Sequence, residues 1–246
     1  MKILVCISNV PDTTSKINFN ADNSAFDANG IQFVINPYDE FVLTKAIKLR
    51  ERYGGTVTAA HVGPATNEPT LRKALAIGAD DAIRVDAEAT DSFFVANELA
   101  AIAKNFDLIM NGRESIDYNG GAVPAMMAEI LDLPFINACT GLEINGRDIS
   151  AEREIEGGKE SLSASLPIVI AGQKGLVEES ELLIPNMRGI MTARTKPLNV
   201  VAAQASEQRT ASASFEKPAE KAACKLVEVG NEAELIALLH NEAKAI

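Results

Sequence analysis

The polar residues best placed for chemistry fall where apolar runs end. Ser8 and Asn9 follow Ile3–Ile7, Asn36 and Asp39 sit at the start of a helix pattern, and Gly63 follows Val57–Val62. The richest stretch follows Leu108–Met110: Gly112-Arg113-Glu114-Ser115-Ile116-Asp117-Tyr118-Asn119-Gly120-Gly121-Ala122-Val123. Here an apolar strand runs into a polar loop, and a glycine pair then opens an apolar-faced helix that leads to Pro134. In an open parallel sheet, ligands lie beyond the carboxyl ends of strands, against the N-terminus of the next helix. Free N–H groups and the helix dipole favour a phosphate there, and bare glycines let it approach the main chain. Such a turn is common in α/β domains and by itself is a weak signal. Several strand ends sharing one sheet edge are stronger, because together they wall a nucleotide pocket.

Nothing in the chain reads as a nucleophile with its base. There is no G-x-S-x-G, no G-x-x-x-x-G-K-[ST], no H-E-x-x-H, and no G-x-G-x-x-G after the first strand. Several polar residues also have plainer readings. Asn36 and Asp39 cap a helix, which leaves room for a second role. Asp117 either binds a ribose hydroxyl or stabilises a turn. Cys6, His61 and the Met126-Met127 pair read as core residues. The acidic run Glu178–Glu181 reads as a solvated loop, although the leucines mixed into it suit docking.

Composition narrows the classes further. A formal charge of -11 argues against nucleic acid and against an anionic membrane surface, and it suits a basic partner protein. Three scattered cysteines without C-x-x-C fit a reducing compartment, and two histidines make a histidine-rich metal site improbable. No apolar run approaches the ~20 residues of a membrane span. The first residues already form a strand, so no signal or transit segment is expected and the protein is expected in the cytoplasm.

The elements that must position the strand ends follow from patterning. Ile3–Ile7 is an unbroken apolar run, as in a central parallel strand. A polar excursion, Thr13–Gly30, follows. Asn36-Pro37-Tyr38-Asp39-Glu40 is a helix start with a cap, a proline at the first position and two acids; Gly54-Gly55 stops that helix. Strand Val57–Val62, helix Thr70–Ile77, strand Ala82–Val85 and a helix from Asp91 to about Lys104 lead to the Leu108 strand. This alternation predicts a doubly wound parallel sheet. From 142 to 166, Asn145-Gly146 and Glu156-Gly157-Gly158 turns predict an antiparallel meander inserted into it, and Pro167–Ala171 returns to the core. Residues 172–196 read as irregular, with exposed Leu176, Leu182, Leu183 and Ile184. Residues 1–203 make one α/β domain. Residues 204–223 have linker composition, and a strand Lys225–Val229 with a helix Glu232–Ala243 forms an arm that needs another chain to pack on.

In order along the chain, Val10-Pro11-Asp12, Asn36–Glu40, Leu71-Arg72-Lys73-Ala74-Leu75-Ala76-Ile77-Gly78-Ala79-Asp80 and Gly112–Asp117 match one family. Ala151 through Arg153, Glu156-Gly157-Gly158, Glu160, Leu162 and Pro167 to Ala171 continue the match, and Pro185-Asn186-Met187 and Ala193–Pro197 complete it. Over nearly its whole length the chain resembles the β-subunit of electron-transfer flavoprotein. The resemblance implies an α/β fold of the adenine-nucleotide α-hydrolase type with an extended C-terminal arm that wraps an α-subunit. It implies an electron carrier rather than an enzyme. FAD, mostly held by the α-subunit, would accept electrons from acyl-CoA dehydrogenases in fatty-acid β-oxidation and pass them to a quinone oxidoreductase. It also implies a structural AMP bound by Cys6, Asn36, Pro37, Tyr38, Asp39, Val62 and the loop Gly112–Val123, with Tyr38 reaching the flavin. Leu176 would anchor dehydrogenases from a recognition loop spanning about 172–192. Two departures stand out. Arg113-Glu114-Ser115 and Tyr118–Gly121 replace the usual loop residues, and Val177–Glu181 replaces the usual Asn-Glu-Pro-Arg-Tyr. Two rivals remain: a bifurcating relative with a second FAD in place of AMP, and a stand-alone ATP-binding or ATP-hydrolysing module.

Overall fold

Alternation along the first strand sets the layers. Ile3, Val5 and Ile7 join one buried cluster, while Leu4 and Cys6 join the other. The same split recurs in the sixth strand, where Leu108 and Met110 face one way and Ile109 the other. Side chains of period two that are apolar on both faces need helices on both faces of the sheet. In the computed structural model, which describes all residues but Thr90, Ala205 and Ala222, that is the arrangement found.

The strands are β1 (Lys2–Cys6), β2 (Asn9–Pro11), β3 (Phe33–Ile35), β4 (Thr56–Val62), β5 (Asp81–Asp86), β6 (Leu108–Gly112), β7 (Phe135–Asn145), β8 (Asp148–Ile155), β9 (Gly158–Ser165), β10 (Ile168–Gly172) and β11 (Leu198–Ala202). Nine of them form one sheet in the order β11-β5-β4-β1-β6-β10-β7-β8-β9, and β2 pairs with β3 separately. From β11 to β7 neighbouring strands run parallel. The helices are α1 (Pro37–Tyr53), α2 (Glu68–Ile77), α3 (Ser92–Ala103), α4 (Val123–Leu131), α5 (Met187–Ala193) and α6 (Glu232–Leu238). α1, α2 and Ala193 of α5 cover one face, through Val42, Leu43, Ala46, Leu71 and Leu75. α3 and α4 cover the other, through Phe94, Leu99 and Met127. Among the described residues no helix is long and apolar enough to cross a membrane.

The doubly wound architecture expected from the sequence is therefore present, with three differences. The expected antiparallel meander is present, but it starts before 142 and extends the edge of the same sheet. β7 begins at Phe135, pairs parallel with β10 through its first half, and then turns antiparallel against β8. Ala138, at φ 51°, and a register shift at Cys139/Gly141 mark the change of partner. Secondly, the region read as irregular contains α5, capped by the Asn186 side chain on Gly189 N–H at 2.8 Å, and is followed by edge strand β11. Arg72 on α2 ties this region down by donating to the carbonyls of Ala193 and Lys196, both at 2.8 Å. Thirdly, Lys225–Val229 is not a strand: Leu226 is 93% exposed and finds no sheet edge among the described residues. A lone extended segment has no ladder partner to satisfy its main chain, so it gains nothing by straightening.

Candidate functional site

The chain runs β1, β4, β5 to one side and then β6, β10 to the other, so the strand order reverses beside β1. A cavity of about 500 Å³ opens at that point, beyond the carboxyl ends of β1, β4 and β6. Cys6, Ile7, Ser8 and Asn9 form its floor with His61, Val62, Asn111 and Gly112; α3, α4 and the 114–120 loop form its sides. A larger depression of about 740 Å³ lies between Arg52 and the β8–β9 hairpin. It is a shallow surface with no unpaired buried polar group among its described residues, so the smaller cavity is the better candidate.

Asp39 organises the floor. It is buried, and its carboxylate accepts from Ser8 N–H at 2.7 Å and from Gly112 N–H at 2.9 Å, tying the ends of β1 and β6 to α1. Burial pushes its pKa up to about 7, against the opposing effect of its hydrogen-bond donors. Asn36 occupies the capping position of α1 but its side chain caps nothing. It donates instead to the Glu114 carbonyl at 2.8 Å and accepts from Ile116 N–H at 3.3 Å, bracing the loop from behind. The loop closes on itself through paired Ser115 and Gly120 main chains. His61 is the satisfied core histidine expected: Nδ1 lies 2.8 Å from the Ile7 carbonyl and Nε2 lies 2.9 Å from Asn67 Nδ2. Burial lowers its pKa, so the ring is neutral at pH 7.

Burial also raises the thiols, Cys6 most strongly and Cys139 to about 11. Cys224 is exposed. Titration of the folded chain with iodoacetamide at pH 8 should therefore modify one thiol per chain, with the other two reacting only after denaturation. Rapid native labelling of Cys6 would contradict this packing.

Two buried polar atoms have no partner among the described residues, Asn111 Nδ2 and Ser115 Oγ, and both residues line the cavity. Stranded buried polar groups of this kind cost about 1–3 kcal/mol each, a cost the fold bears beside the cavity. No lysine or arginine side chain is among the described wall residues, so a phosphate there would rest on main-chain donors at the start of α4, as helix geometry allows. Asp117 both lines the cavity and accepts from Tyr118 N–H at 2.8 Å, so the turn role holds and a face stays open.

Of the residues expected from the sequence, Cys6, Asp39, Val62, Gly112, Glu114, Ser115, Asp117, Tyr118, Gly120 and Val123 meet in the wall. Asn36, Pro37, Tyr38, Arg113, Ile116, Asn119, Gly121 and Ala122 lie outside it. Asn36 and Ile116 work from behind. Arg113 turns away, its guanidinium 5.7 Å over the Tyr38 ring and bonded to Gln173 and Glu114. Sequence reading missed Asn67, Asp91 and Ser92, and the remote Thr210, Ala211 and Ser212. Asp91 carried a signal, its capping of α3, but nothing local places that cap at the cavity. Leu176 departs furthest from expectation. It is 4% exposed, seated over Gly172 and Val42 in the core, so its side chain is not offered to a partner. The exposed apolar side chains of that region include Ile184, Met187 and Met191.

Comparison with known proteins decides the family. A model described as "Electron transfer flavoprotein domain" matches residues 24–206. The chain is 36% identical to the electron transfer flavoprotein subunit beta of Bacillus subtilis, with all of both chains covered. This chain belongs to the electron transfer flavoprotein β-subunit family. The human electron transfer flavoprotein subunit beta is 32% identical over 82% of this chain and 81% of its own. Protein FixA of Azotobacter vinelandii is 34% identical over 72% of this chain and 67% of its own. As an electron-transfer flavoprotein β-subunit, the chain is an electron-carrier subunit rather than an enzyme, and it has an α-subunit as partner. In the C-terminal segment Leu226, Val229, Leu235 and Ile236 are exposed.

Proposed function

We propose that this β-subunit completes a heterodimer whose FAD is held mostly by the α-subunit, and that the cavity beside β1, β4 and β6 holds AMP as a structural ligand. The observation that supports the AMP reading is the cavity at the switch point, where the ends of β1, β4 and β6 meet the 114–120 loop and the start of α4. When bound, FAD supplies the one- and two-electron chemistry. This chain's residues would position and shield it, Tyr38 as the aromatic side chain that reaches the flavin from the β side; its ring lies under the Arg113 guanidinium and outside the AMP cavity. Electrons come from acyl-CoA or related dehydrogenases and go to a quinone oxidoreductase. Docking uses the 172–192 region, with Ile184 and Met187 taking the part that a buried Leu176 does not.

The test is a cofactor census. Co-expression with the α-subunit should give a yellow heterodimer that releases one FAD and one AMP on denaturation. A colourless, monomeric product refutes the proposal. Two FADs and no AMP identify the bifurcating type, and ATP turnover by the isolated chain identifies a stand-alone ATP-hydrolysing module.

A further inference from the structure

Residues 204–217 have the composition of a linker, yet Gln204, Ser206, Arg209, Thr210, Phe215 and Lys217 are tied to the domain. Glu98 on α3 is a buried carboxylate, 1% exposed, that accepts from Gln204 N–H at 2.8 Å, Ser206 N–H at 3.1 Å and Ser206 Oγ at 2.6 Å. Further along the segment, Asp91 uses one oxygen to cap Phe94 N–H and the other to accept from Arg209 and Thr210 N–H, both at 2.6 Å. The Arg209 guanidinium lies 3.7 Å over the Phe93 ring. Next come Thr210, Ala211 and Ser212, which form part of the nucleotide cavity's wall. On the far side Phe215 stacks on Phe19 at 5.2 Å and faces Tyr118 of the site loop at 6.5 Å, while its N–H donates to the Asn23 carbonyl at 2.8 Å. Lys217 Nζ reaches Asn18 Oδ1 at 2.7 Å. The segment thus crosses the cavity from α3 to the 115–120 loop and is pinned on both banks.

We infer that residues 206–217 are a strap belonging to the nucleotide site, and that Glu98 and Asp91 are positioning residues that hold it shut over the ligand. This rests on the nucleotide reading above. Ordering an extended segment costs backbone entropy at every residue, and the strap has no sheet or helix of its own to offset it. The offset comes from a few anchors at its ends and from whatever lies beneath Thr210–Ser212. A ligand that touches the closed strap and not the open one stabilises closure, and closure in turn tightens the ligand by the same coupling; a closed strap also blocks its way out.

Exchange of bound AMP for labelled AMP, measured on the purified heterodimer, tests this. Glu98→Gln keeps shape but loses an acceptor for the strap's main chain. Phe215→Ala removes the far anchor without touching α3. Each is expected to exchange AMP about tenfold faster than wild type, the size of effect that removing a single anchor should have, with FAD content unchanged. Trypsin supplies a readout that needs no variant: bound AMP should slow cleavage after Arg209 relative to AMP-stripped heterodimer. Wild-type exchange rates in both variants, or equal cleavage with and without AMP, overturn the strap while leaving the nucleotide site intact. A wild-type heterodimer that contains no adenine nucleotide overturns the nucleotide reading and the strap's role with it.

Discussion

Asp39→Ala is expected to lower the stability of the chain by about 3 kcal/mol and to abolish nucleotide retention. The substitution strands Ser8 and Gly112 N–H in the floor of the site, each a buried donor worth roughly 1–3 kcal/mol when unpaired. Part of that loss is offset, because burying the Asp39 carboxylate is itself unfavourable, as its pKa of about 7 records. The raised pKa fixes the sign of a pH effect. The unfolded aspartate, at 3.8, releases its proton before the folded one does. Between pH 4 and 7 the folded state therefore binds more protons, and Asp39's stabilising contribution falls as pH rises through that window, by at most about 1.4 kcal/mol per unit. His61 acts oppositely. Its lowered pKa means that the unfolded state takes up the proton first as pH falls below 6.5, and stability is lost in that direction. The wild-type profile sums both effects, so the informative measurement is a difference. Compared from pH 5 to 7.5, the urea midpoint of wild type should fall relative to that of Asp39→Asn as pH rises. A constant difference across that range would show that Asp39 titrates as a solvated carboxylate does.

Gly112→Ala is expected to cost about 1–3 kcal/mol in stability and to weaken nucleotide binding about a hundredfold, or ~2.7 kcal/mol. A Cβ there would stand 2.4 Å from Asp39 Oδ1, 2.7 Å from Tyr38 Cβ and 3.1 Å from Asn36 Nδ2. None of these is the free end of a flexible chain. Tyr38 Cβ is fixed to α1, Asp39 is held by two main-chain donors, and Asn36 braces the loop. Relief would have to come from moving β6 away from α1, which spoils the floor of the cavity. Gly120→Ala in the same loop meets nothing within 4 Å and should leave stability unchanged. Thermal melts and AMP binding of the two variants separate the cases. Equal behaviour would mean that close approach at Gly112 is not what the site requires.

That contrast shows where local reading reaches its limit. Gly120-Gly121 reads as the pair that lets a ligand near the main chain, because a glycine pair opening a helix is a local pattern. The tight approach is at Gly112, and its cause is α1, far earlier in the chain. Asn36 is a similar case. A helix-capping residue is legible from its neighbours, but the Glu114 and Ile116 groups that divert its side chain are not. Leu176 among acids and leucines reads as exposed; the space over side-chain-free Gly172, next to Val42, is what draws it inside. The edge strand β11 is hidden from such a reading because Leu198–Ala202 is short and only partly buried, so no alternation announces it.

By itself the sequence determined the layered α/β architecture and its family, and it pointed to the strand ends as the place to seek a ligand. Those follow from short-range periodicity and from motifs that keep their order along the chain. The tertiary structure alone decided which polar groups are buried without partners, which carboxylate holds the floor, and that a linker-like segment roofs the cavity. Each of these depends on residues far apart in the chain meeting in a water-poor space. There the cost of an unpaired polar group is set by whatever the fold brings opposite it.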